Sequence, residues 1–193
     1  MNQMKSNSCS NEILFIGDHS FWSECAYEFL NLIFNRVTAI FWSYGEKKDA
    51  MHRIIYEWSG DWVISFKSDL ILDKVILKHA NKGAINFHPA PVKYRGIGGY
   101  YYAINDKDSK FGVTCHYIDD AIDHGTIIKS IEFMIIDGET VEELEKRTAN
   151  YCLTLFYEIC SLIAKGQALP VCGKKWEGKL YTRKMLKHYL DVN

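Results

Sequence analysis

Short apolar runs alternate with amphipathic segments through the first half of the chain. Each run has the length and the β-branched or aromatic content of a buried strand. These predicted strands are residues 12–16, 37–42, 61–66 and 84–87. Between the first two, residues 20–35 repeat apolar side chains at helical spacing behind Ser20, a good capping residue. Residues 70–81 are predicted as another helix, which ends before Gly83.

The second half continues with a predicted helix at residues 98–105 and two predicted strands at 112–118 and 126–135. Thr140 and Glu143 have the spacing of a capping box, and they precede a long amphipathic segment that runs to about residue 165. The alternation of strands and helices predicts an α/β fold, a Rossmann-like doubly wound, mostly parallel sheet flanked by helices. In such sheets ligands bind at the carboxyl ends of the strands.

Length and composition favour one soluble domain. The 193 residues are 48% hydrophobic and 24% charged, which is ordinary for a globular protein. We expect a catalytic domain at residues 11–172, a loosely held N-terminus at residues 1–10 and a polar surface tail at residues 173–193. The net charge of −1 disfavours a nucleic-acid partner, which usually requires a basic surface.

The sequence shows no clear signal for membrane insertion, secretion or metal binding. No apolar run approaches the roughly 18 to 20 residues that span a bilayer, and the polar N-terminus does not resemble a signal peptide. We therefore expect a cytoplasmic protein without a membrane partner. The six cysteines include no CxxC pair, which favours reduced thiols over disulfides or a metal site.

Asn86, His88 and Asp123 are the strongest candidates for chemistry. Residues two apart on a strand project to the same side, so Asn86 and His88 can face one crevice at the end of the fourth predicted strand. Asp123 lies in an Asp-x-Gly turn after the next strand. An amide, an imidazole and a carboxylate suit acyl transfer to an amine. Each residue alone is also common in ordinary turns, so the argument depends on their joint occurrence.

The surrounding sequence resembles a known signature. The runs Asn86-Phe87-His88-Pro89 and Lys93-Tyr94-Arg95-Gly96 resemble the Asn-x-His-Pro and Tyr-Arg-Gly motifs of the formyltransferases, and His116, Asp123 and Gly125 follow with that family's spacing. The resemblance covers about residues 11–136. It is to the fold shared by glycinamide ribonucleotide transformylase, the catalytic domain of methionyl-tRNA formyltransferase and the sugar N-formyltransferases. It implies 10-formyltetrahydrofolate as the co-substrate and Asn86, His88 and Asp123 as the catalytic residues.

The resemblance also implies where ligands bind. The folate would lie between the segment after the third strand and the loop before Asp123. The residues implied are Phe66, Lys67, Asp69, Leu70, Leu72, Tyr117, Ile118, Asp119, Asp120 and Ile122. Ordinary core packing is the competing interpretation for Phe66, Leu70 and Leu72. Tyr94, Arg95 and Gly96 are expected to bind the acceptor.

Two departures from the family pattern concern this site. The run Ala90-Pro91-Val92 is one residue shorter than the usual segment after His-Pro. His124 replaces a small residue in the Asp-x-Gly turn, where it would either narrow the acceptor entrance or be exposed.

The acceptor is less well defined than the donor. By resemblance, the tRNA enzyme would carry a further C-terminal domain, which this chain is too short to include. The purine enzyme would carry a Gly- and Ser-rich phosphate loop where residues 17–21 read Gly-Asp-His-Ser-Phe. We therefore expect a small-molecule amine, with a nucleotide-linked amino sugar first and a purine-type acceptor as the alternative. Two further alternatives are a 10-formyltetrahydrofolate hydrolase and a folate-binding protein without turnover. The aromatic surface is compatible with a homodimer.

Overall fold

A six-stranded sheet forms the centre of the protein. The structure is a computed structural model, which describes residues 9–47 and 49–192. The strands in chain order are β1 (Cys9–Gly17), β2 (Phe34–Phe41), β3 (Gly60–Phe66), β4 (Ala80–His88), the short β5 (Arg95–Gly96), β6 (Lys110–Tyr117), β7 (Ile127–Met134) and the short β8 (Leu180–Tyr181). The sheet order is β2-β1-β3-β4-β6-β7, and β5 pairs with β8 separately. The first four strands of this order are parallel, whereas β6 runs antiparallel to both β4 and β7.

Six helices accompany these strands in the described part of the chain. They are α1 (Phe21–Ile33), α2 (Asp49–Glu57), α3 (Lys74–Lys78), α4 (Gly99–Asn105), α5 (Val141–Ala164) and α6 (Arg183–Val192). None of these helices combines the length and apolar character needed to cross a membrane. The α/β class and the mostly parallel sheet predicted from the sequence are confirmed.

Local capping signals determine where the two main helices begin. The Ser20 side chain accepts a hydrogen bond from the backbone of Ser23 at the start of α1. At the start of α5, Thr140 and Glu143 form the predicted capping box in both directions. Such caps satisfy backbone donors that the first turn of a helix leaves unpaired.

Both faces of the sheet are buried, which explains the continuous apolar runs of its strands. Phe15, Phe66 and Phe87 lie in one hydrophobic cluster with Phe156 of α5. A second cluster covers the opposite face, where Leu14 and Val63 lie among side chains from α2 and α3. The ring of Phe87 packs 4.9 Å from that of Phe156, centroid to centroid. Phe87 is thus anchored in the core, and its neighbours Asn86 and His88 face the other way.

The prediction of a helix at residues 70–81 is wrong for most of these residues. Only Lys74–Lys78 are helical, because the Asp73 side chain accepts from the backbone of Val75 and Ile76 and starts the helix there. From Ala80 the chain already belongs to β4. Residues 68–73 are a loop, and part of it lines the cavity described below.

Segments near both ends of the described chain contribute strands to the fold. Of the predicted loose N-terminus at residues 1–10, residues 1–8 lie outside the described residues, and the remainder belongs to β1. The segment 173–193, expected to be a surface tail, contains β8 and α6. It is tied to the domain because β8 pairs with β5 and the Glu177 amide donates to the carbonyl of Val92 at 3.0 Å. The polar composition of residues 173–193 gave no indication of these contacts.

Candidate active site

The end of β4 carries the first two candidate residues. Asn86 and His88 project from the face opposite Phe87, as their two-residue spacing requires. Asn86 pairs with His116 across the antiparallel β4–β6 ladder. Because β6 runs antiparallel to β4, the two strands end at opposite edges of the sheet. Asp123 reaches the site because the loop after β6 folds back.

The geometry of that loop depends on two special residues. Asp123 has a φ of 43°, in the left-handed region that Asp tolerates better than most residues. At Gly125, an added Cβ would lie 1.9 Å from the carbonyl oxygen of Tyr117. The amide of Tyr117 donates to the carbonyl of Thr126 at 2.9 Å and closes the loop. A glycine is therefore required where the chain passes so close to the end of β6.

The carboxylate of Asp123 lies between two imidazole rings. Its Oδ2 is 3.4 Å from His88 Nδ1 and accepts a hydrogen bond of 2.7 Å from the amide of Gly96. Its Oδ1 is 3.2 Å from His116 Nε2 and 3.5 Å from Asn86 Nδ2. The structure thus brings the three predicted residues together and adds His116 to the cluster.

Electrostatics keep Asp123 ionised. Burial alone would raise the pKa of this carboxyl. The neighbouring His88, the hydrogen bond from His116 and the amide of Gly96 outweigh burial, and together they lower the pKa of Asp123 to about 2. At neutral pH the group is therefore a fixed negative charge, suited to stabilising a protonated imidazole.

Backbone carbonyls determine which nitrogen of each ring carries a proton. His88 Nε2 lies 2.7 Å from the carbonyl oxygen of Tyr94, and His116 Nδ1 lies 2.8 Å from that of Tyr117. A carbonyl only accepts, so both of these nitrogens are donors. The remaining nitrogens, His88 Nδ1 and His116 Nε2, face Asp123. These are the atoms through which the cluster can take up or release a proton.

The side-chain amide of Asn86 is directed towards its histidine neighbour. Its nitrogen, the atom that could donate to an oxyanion, faces His116 Nε2 at 3.2 Å. Its Oδ1 is buried and has no hydrogen-bond partner among the described residues. A half-turn of the amide would exchange these two positions and place the oxygen beside His116 Nε2, where it could accept a hydrogen bond if that nitrogen carries a proton.

Tyr94 and Arg95 do not line the cavity, although both were expected to bind the acceptor. Tyr94 is buried, and its hydroxyl donates to Asp108 at 2.6 Å. Arg95 donates through Nε to the carbonyl of Asp123 at 2.7 Å and through Nη2 to that of Ile122 at 3.0 Å. Arg95 thus holds the loop that carries Asp123, and the backbone carbonyl of Tyr94 contacts His88 Nε2. Gly96, the third member of that prediction, does line the cavity.

Trp176 is a site residue that sequence reasoning missed. Its ring lies edge-on to His116 and His88, at centroid distances of 4.9 Å and 6.0 Å. Its indole Nε1 donates to the carbonyl of Gly125 at 2.8 Å. The tryptophan thus touches both imidazoles and the Asp123 loop. A single aromatic residue in a polar segment gave no signal of this position.

A cavity of about 930 Å³ opens beside the cluster. Asn86, His88, His116 and Asp123 all contribute to its wall. Of the residues assigned to the folate, those that line it are Lys67, Asp69, Leu70, Leu72, Ile118, Asp119, Asp120 and Ile122. Its volume lies within the usual range for small-molecule sites, about 300 to 1,000 Å³.

Phe66 and Tyr117 were also assigned to the folate pocket, and the structure places both elsewhere. The side chains of Phe66 and Tyr117 pack in the cluster on the α5 side of the sheet. Their neighbours Ser65 and His116 face the cavity instead, because successive residues on a strand point to opposite faces. His124 does not narrow the entrance, since its side chain is 60% exposed and pairs with Asp119.

Solved structures of similar fold include several formyltransferases. A likely sugar N-formyltransferase from Mycobacterium tuberculosis superposes with a TM-score of 0.75 at 23% identity, covering 92% of this chain and 78% of that one. A formyltransferase from Anoxybacillus kamchatkensis, solved with UDP-4,6-dideoxy-4-formamido-L-AltNAc and tetrahydrofolate, gives 0.68 at 24% identity, with 94% and 90% covered. At sequence identities below 25%, this structural similarity establishes the fold alone.

Curated relatives extend the comparison to sequence. Methionyl-tRNA formyltransferase of Ehrlichia ruminantium (strain Gardel) is 27% identical over 140 residues, covering 72% of this chain and 45% of that protein. Phosphoribosylglycinamide formyltransferase of Haemophilus influenzae is 30% identical over 116 residues, covering 55% and 52%. The chain therefore spans about half the length of these relatives. A model of the formyl transferase family matches residues 13–158, well over half of the chain, and the protein belongs to that family.

Proposed function

We propose that this protein transfers a formyl group from 10-formyltetrahydrofolate to the primary amine of a small molecule. The observation that carries the proposal is the cluster of Asn86, His88 and Asp123 on the wall of a ligand-sized cavity. Membership of the formyl transferase family supports the same reaction.

The residues of the cavity fit a formyl-folate. Leu70, Leu72 and Ile118 offer apolar surface to a flat ring. The buried and unpartnered Asn86 Oδ1 shows that the cluster has unused hydrogen-bonding capacity at its centre. When bound, the folate supplies the formyl group on a nitrogen that becomes the leaving group.

Proton transfer is assigned to the His88–Asp123 pair. A neutral amine forms a bond to the formyl carbon, and the carbonyl oxygen gains negative charge. His88 Nδ1 takes the proton that the amine loses, while Asp123 at 3.4 Å stabilises the imidazolium and then favours return of the proton to the leaving nitrogen. A positioned acid or base of this kind commonly contributes about 100- to 10,000-fold in rate.

Asn86 is assigned to the oxyanion. After the half-turn of its amide, Nδ2 would donate to the developing negative charge, and Oδ1 would accept from protonated His116. A donor in this role commonly contributes about 100- to 1,000-fold in rate. The short separation of Asn86 and His116, 3.2 Å in the present orientation, supports this coupling.

A nucleotide-linked amino sugar is the acceptor that we propose. The formyltransferase from Helicobacter canadensis that shares this fold was solved with folinic acid and dTDP-3-aminofucose, at a TM-score of 0.69 and 21% identity. The relative from Haemophilus influenzae keeps a purine-pathway acceptor as the alternative. In either case the acceptor is a small molecule with a primary amine.

Turnover with a panel of acceptors tests the proposal. The protein would be mixed with 10-formyltetrahydrofolate and, separately, dTDP- and UDP-linked amino sugars, glycinamide ribonucleotide or buffer, and tetrahydrofolate release would be followed by absorbance. We expect release that depends on an amino-sugar nucleotide. Release only with glycinamide ribonucleotide would favour the alternative acceptor. Equal release in buffer alone, or binding without release, would contradict formyl transfer to an amine.

A further inference from the structure

Four hydrogen-bond donors converge on the side chain of Asp18, in the loop between β1 and α1. Asp18 Oδ1 accepts from the Ser20 amide at 3.1 Å and from the hydroxyls of Ser20 and Ser23, both at 2.5 Å. Its Oδ2 lies 3.5 Å from the ammonium of Lys67. Two hydroxyls, an amide and an ammonium form a site for an anion, and here the anion belongs to the chain itself.

Lys67 is the unusual member of this cluster. Only 7% of its side chain is exposed, and its ammonium lies over the ring of Trp22, 5.0 Å from the centroid. Its backbone amide donates to the carbonyl of Phe87 at 3.3 Å, directly between Asn86 and His88 in sequence. A buried ammonium is costly unless a negative group faces it. Asp18 provides that group, and the reaction assigned above does not use Lys67.

The cluster belongs to the same cavity as the catalytic residues. Asp18 and Lys67 line it together with Asn86, His88 and Asp123. A ligand that fills this cavity can therefore contact Asp18 as well as His88. Because 28% of the Asp18 side chain is exposed, its carboxylate can still accept a hydrogen bond from such a ligand.

We infer that Asp18 determines acceptor specificity by filling, with its own carboxylate, a site that would otherwise bind an anionic group. A phosphate brought to Ser20, Ser23 and Lys67 would meet donors that are already occupied and a like charge that repels it. A neutral group with hydroxyls, such as a sugar ring, can instead donate to Asp18. The acceptor thus presents hydroxyls to this wall and carries any phosphate elsewhere. This inference deepens the proposed function and rests on it for the reaction.

Binding of inorganic phosphate tests the inference without donor or turnover. Isothermal titration at constant ionic strength would compare the wild-type protein with Asp18→Ala. We expect Asp18→Ala to bind phosphate at least about tenfold more tightly, because hydrogen bonds to a charged group and the freed ammonium become available. Equal affinities in the two proteins would overturn the inference.

Two further variants keep the test decisive. Asp18→Asn has nearly the same shape but no charge, so it should fold if Asp18→Ala does not, and it should show a smaller gain over wild type. Asp18→Ala combined with Lys67→Met should lose the gain. Retention of tighter phosphate binding in that double variant would place the phosphate elsewhere and overturn the inference, as would the absence of any gain in a folded Asp18→Asn protein.

The two proposals fail in different ways. If wild-type protein formylates no amine and yet Asp18→Ala gains phosphate binding, the proposed function is wrong and the occupied anion site stands. If an amino-sugar nucleotide is formylated and no Asp18 variant gains phosphate binding, the reaction stands and the role of Asp18 is wrong.

Discussion

His88 Nδ1 lies 3.4 Å from Asp123 Oδ2, although one residue ends a central strand and the other lies in a loop beyond the next strand of the sheet. The other nitrogen of His88 is committed to the carbonyl of Tyr94. Proton exchange by this ring is therefore restricted to the atom that faces the carboxylate. Because only His88 Nδ1 is available, the effect of replacing either His88 or Asp123 can be assigned to this one contact.

The first prediction concerns Asp123→Asn. The amide occupies the same space but cannot stabilise the imidazolium, so kcat should fall by about 100- to 10,000-fold. Binding of tetrahydrofolate, measured by fluorescence or calorimetry, should change little. A turnover number near that of the wild-type protein would exclude Asp123 from the mechanism. His88→Asn is the companion variant, and it should produce a loss of similar size.

The low pKa of Asp123, about 2, predicts a contribution to stability that depends on pH. In the unfolded chain the carboxyl titrates near pH 4, so below that pH the unfolded state binds the proton first. The contribution is full above about pH 4 and is lost as the pH falls through about 2. Urea unfolding between pH 5 and pH 2 should show the wild-type advantage over Asp123→Asn shrinking with acid. An advantage that stays constant across this range would contradict the prediction.

Trp176 is predicted to act as a positioning residue. Trp176→Ala removes the ring beside His116 and His88, and kcat should fall by about tenfold to 100-fold, as expected when reacting groups shift by about 1 Å. Trp176→Phe keeps a ring but loses the indole hydrogen bond to Gly125, so its loss should be smaller. Comparison of kcat with the Michaelis constant and with thermal stability distinguishes positioning from mere stability, because Trp176→Ala should lower kcat at temperatures where it is fully folded, and Trp176→Phe should restore part of the loss. Reduced thermal stability with an unchanged kcat would refute the assignment.

Gly125→Ala should disturb the Asp123 loop. The new Cβ would lie 1.9 Å from the carbonyl oxygen of Tyr117, so the backbone has to move, at a cost of about 1 to 3 kcal/mol. Turnover should fall together with the free energy of unfolding. Gly173→Ala is the matched control, since a Cβ there meets no atom within 4 Å, and it should stay within about 0.5 kcal/mol of wild type. Equal behaviour of the two variants would show that the close approach at Gly125 is unimportant.

The sequence was most informative where local chemistry decides the structure. Ser20 and the Thr140–Glu143 capping box determine their helix starts within a few residues, and the strands show their burial in their apolar runs. The spacing of Asn86 and His88 correctly places them on one face of β4. Motif resemblance, rather than periodicity, brought Asp123 into the same site.

The remaining features depend on contacts between distant segments. The apolar residues 70–72 suggested helix, but Asp73 caps a helix that starts only after them. Arg95 was expected at the acceptor, yet its guanidinium binds the backbone of the Asp123 loop. Trp176 packs on two histidines that lie far from it in sequence. No local pattern encodes such pairings, so they became visible only in the folded chain.

The two-residue strand β5 links the Asp123 carboxylate to the C-terminal segment. The amide of Gly96 binds Asp123, and the next amide, of Ile97, donates to the carbonyl of Tyr181 at 3.0 Å. Detachment of β8 would leave that short strand without its neighbour and loosen one of the anchors of Asp123. Turnover should then be lost on heating before the central sheet unfolds, so the pairing of β5 with β8 would set the upper temperature limit of activity.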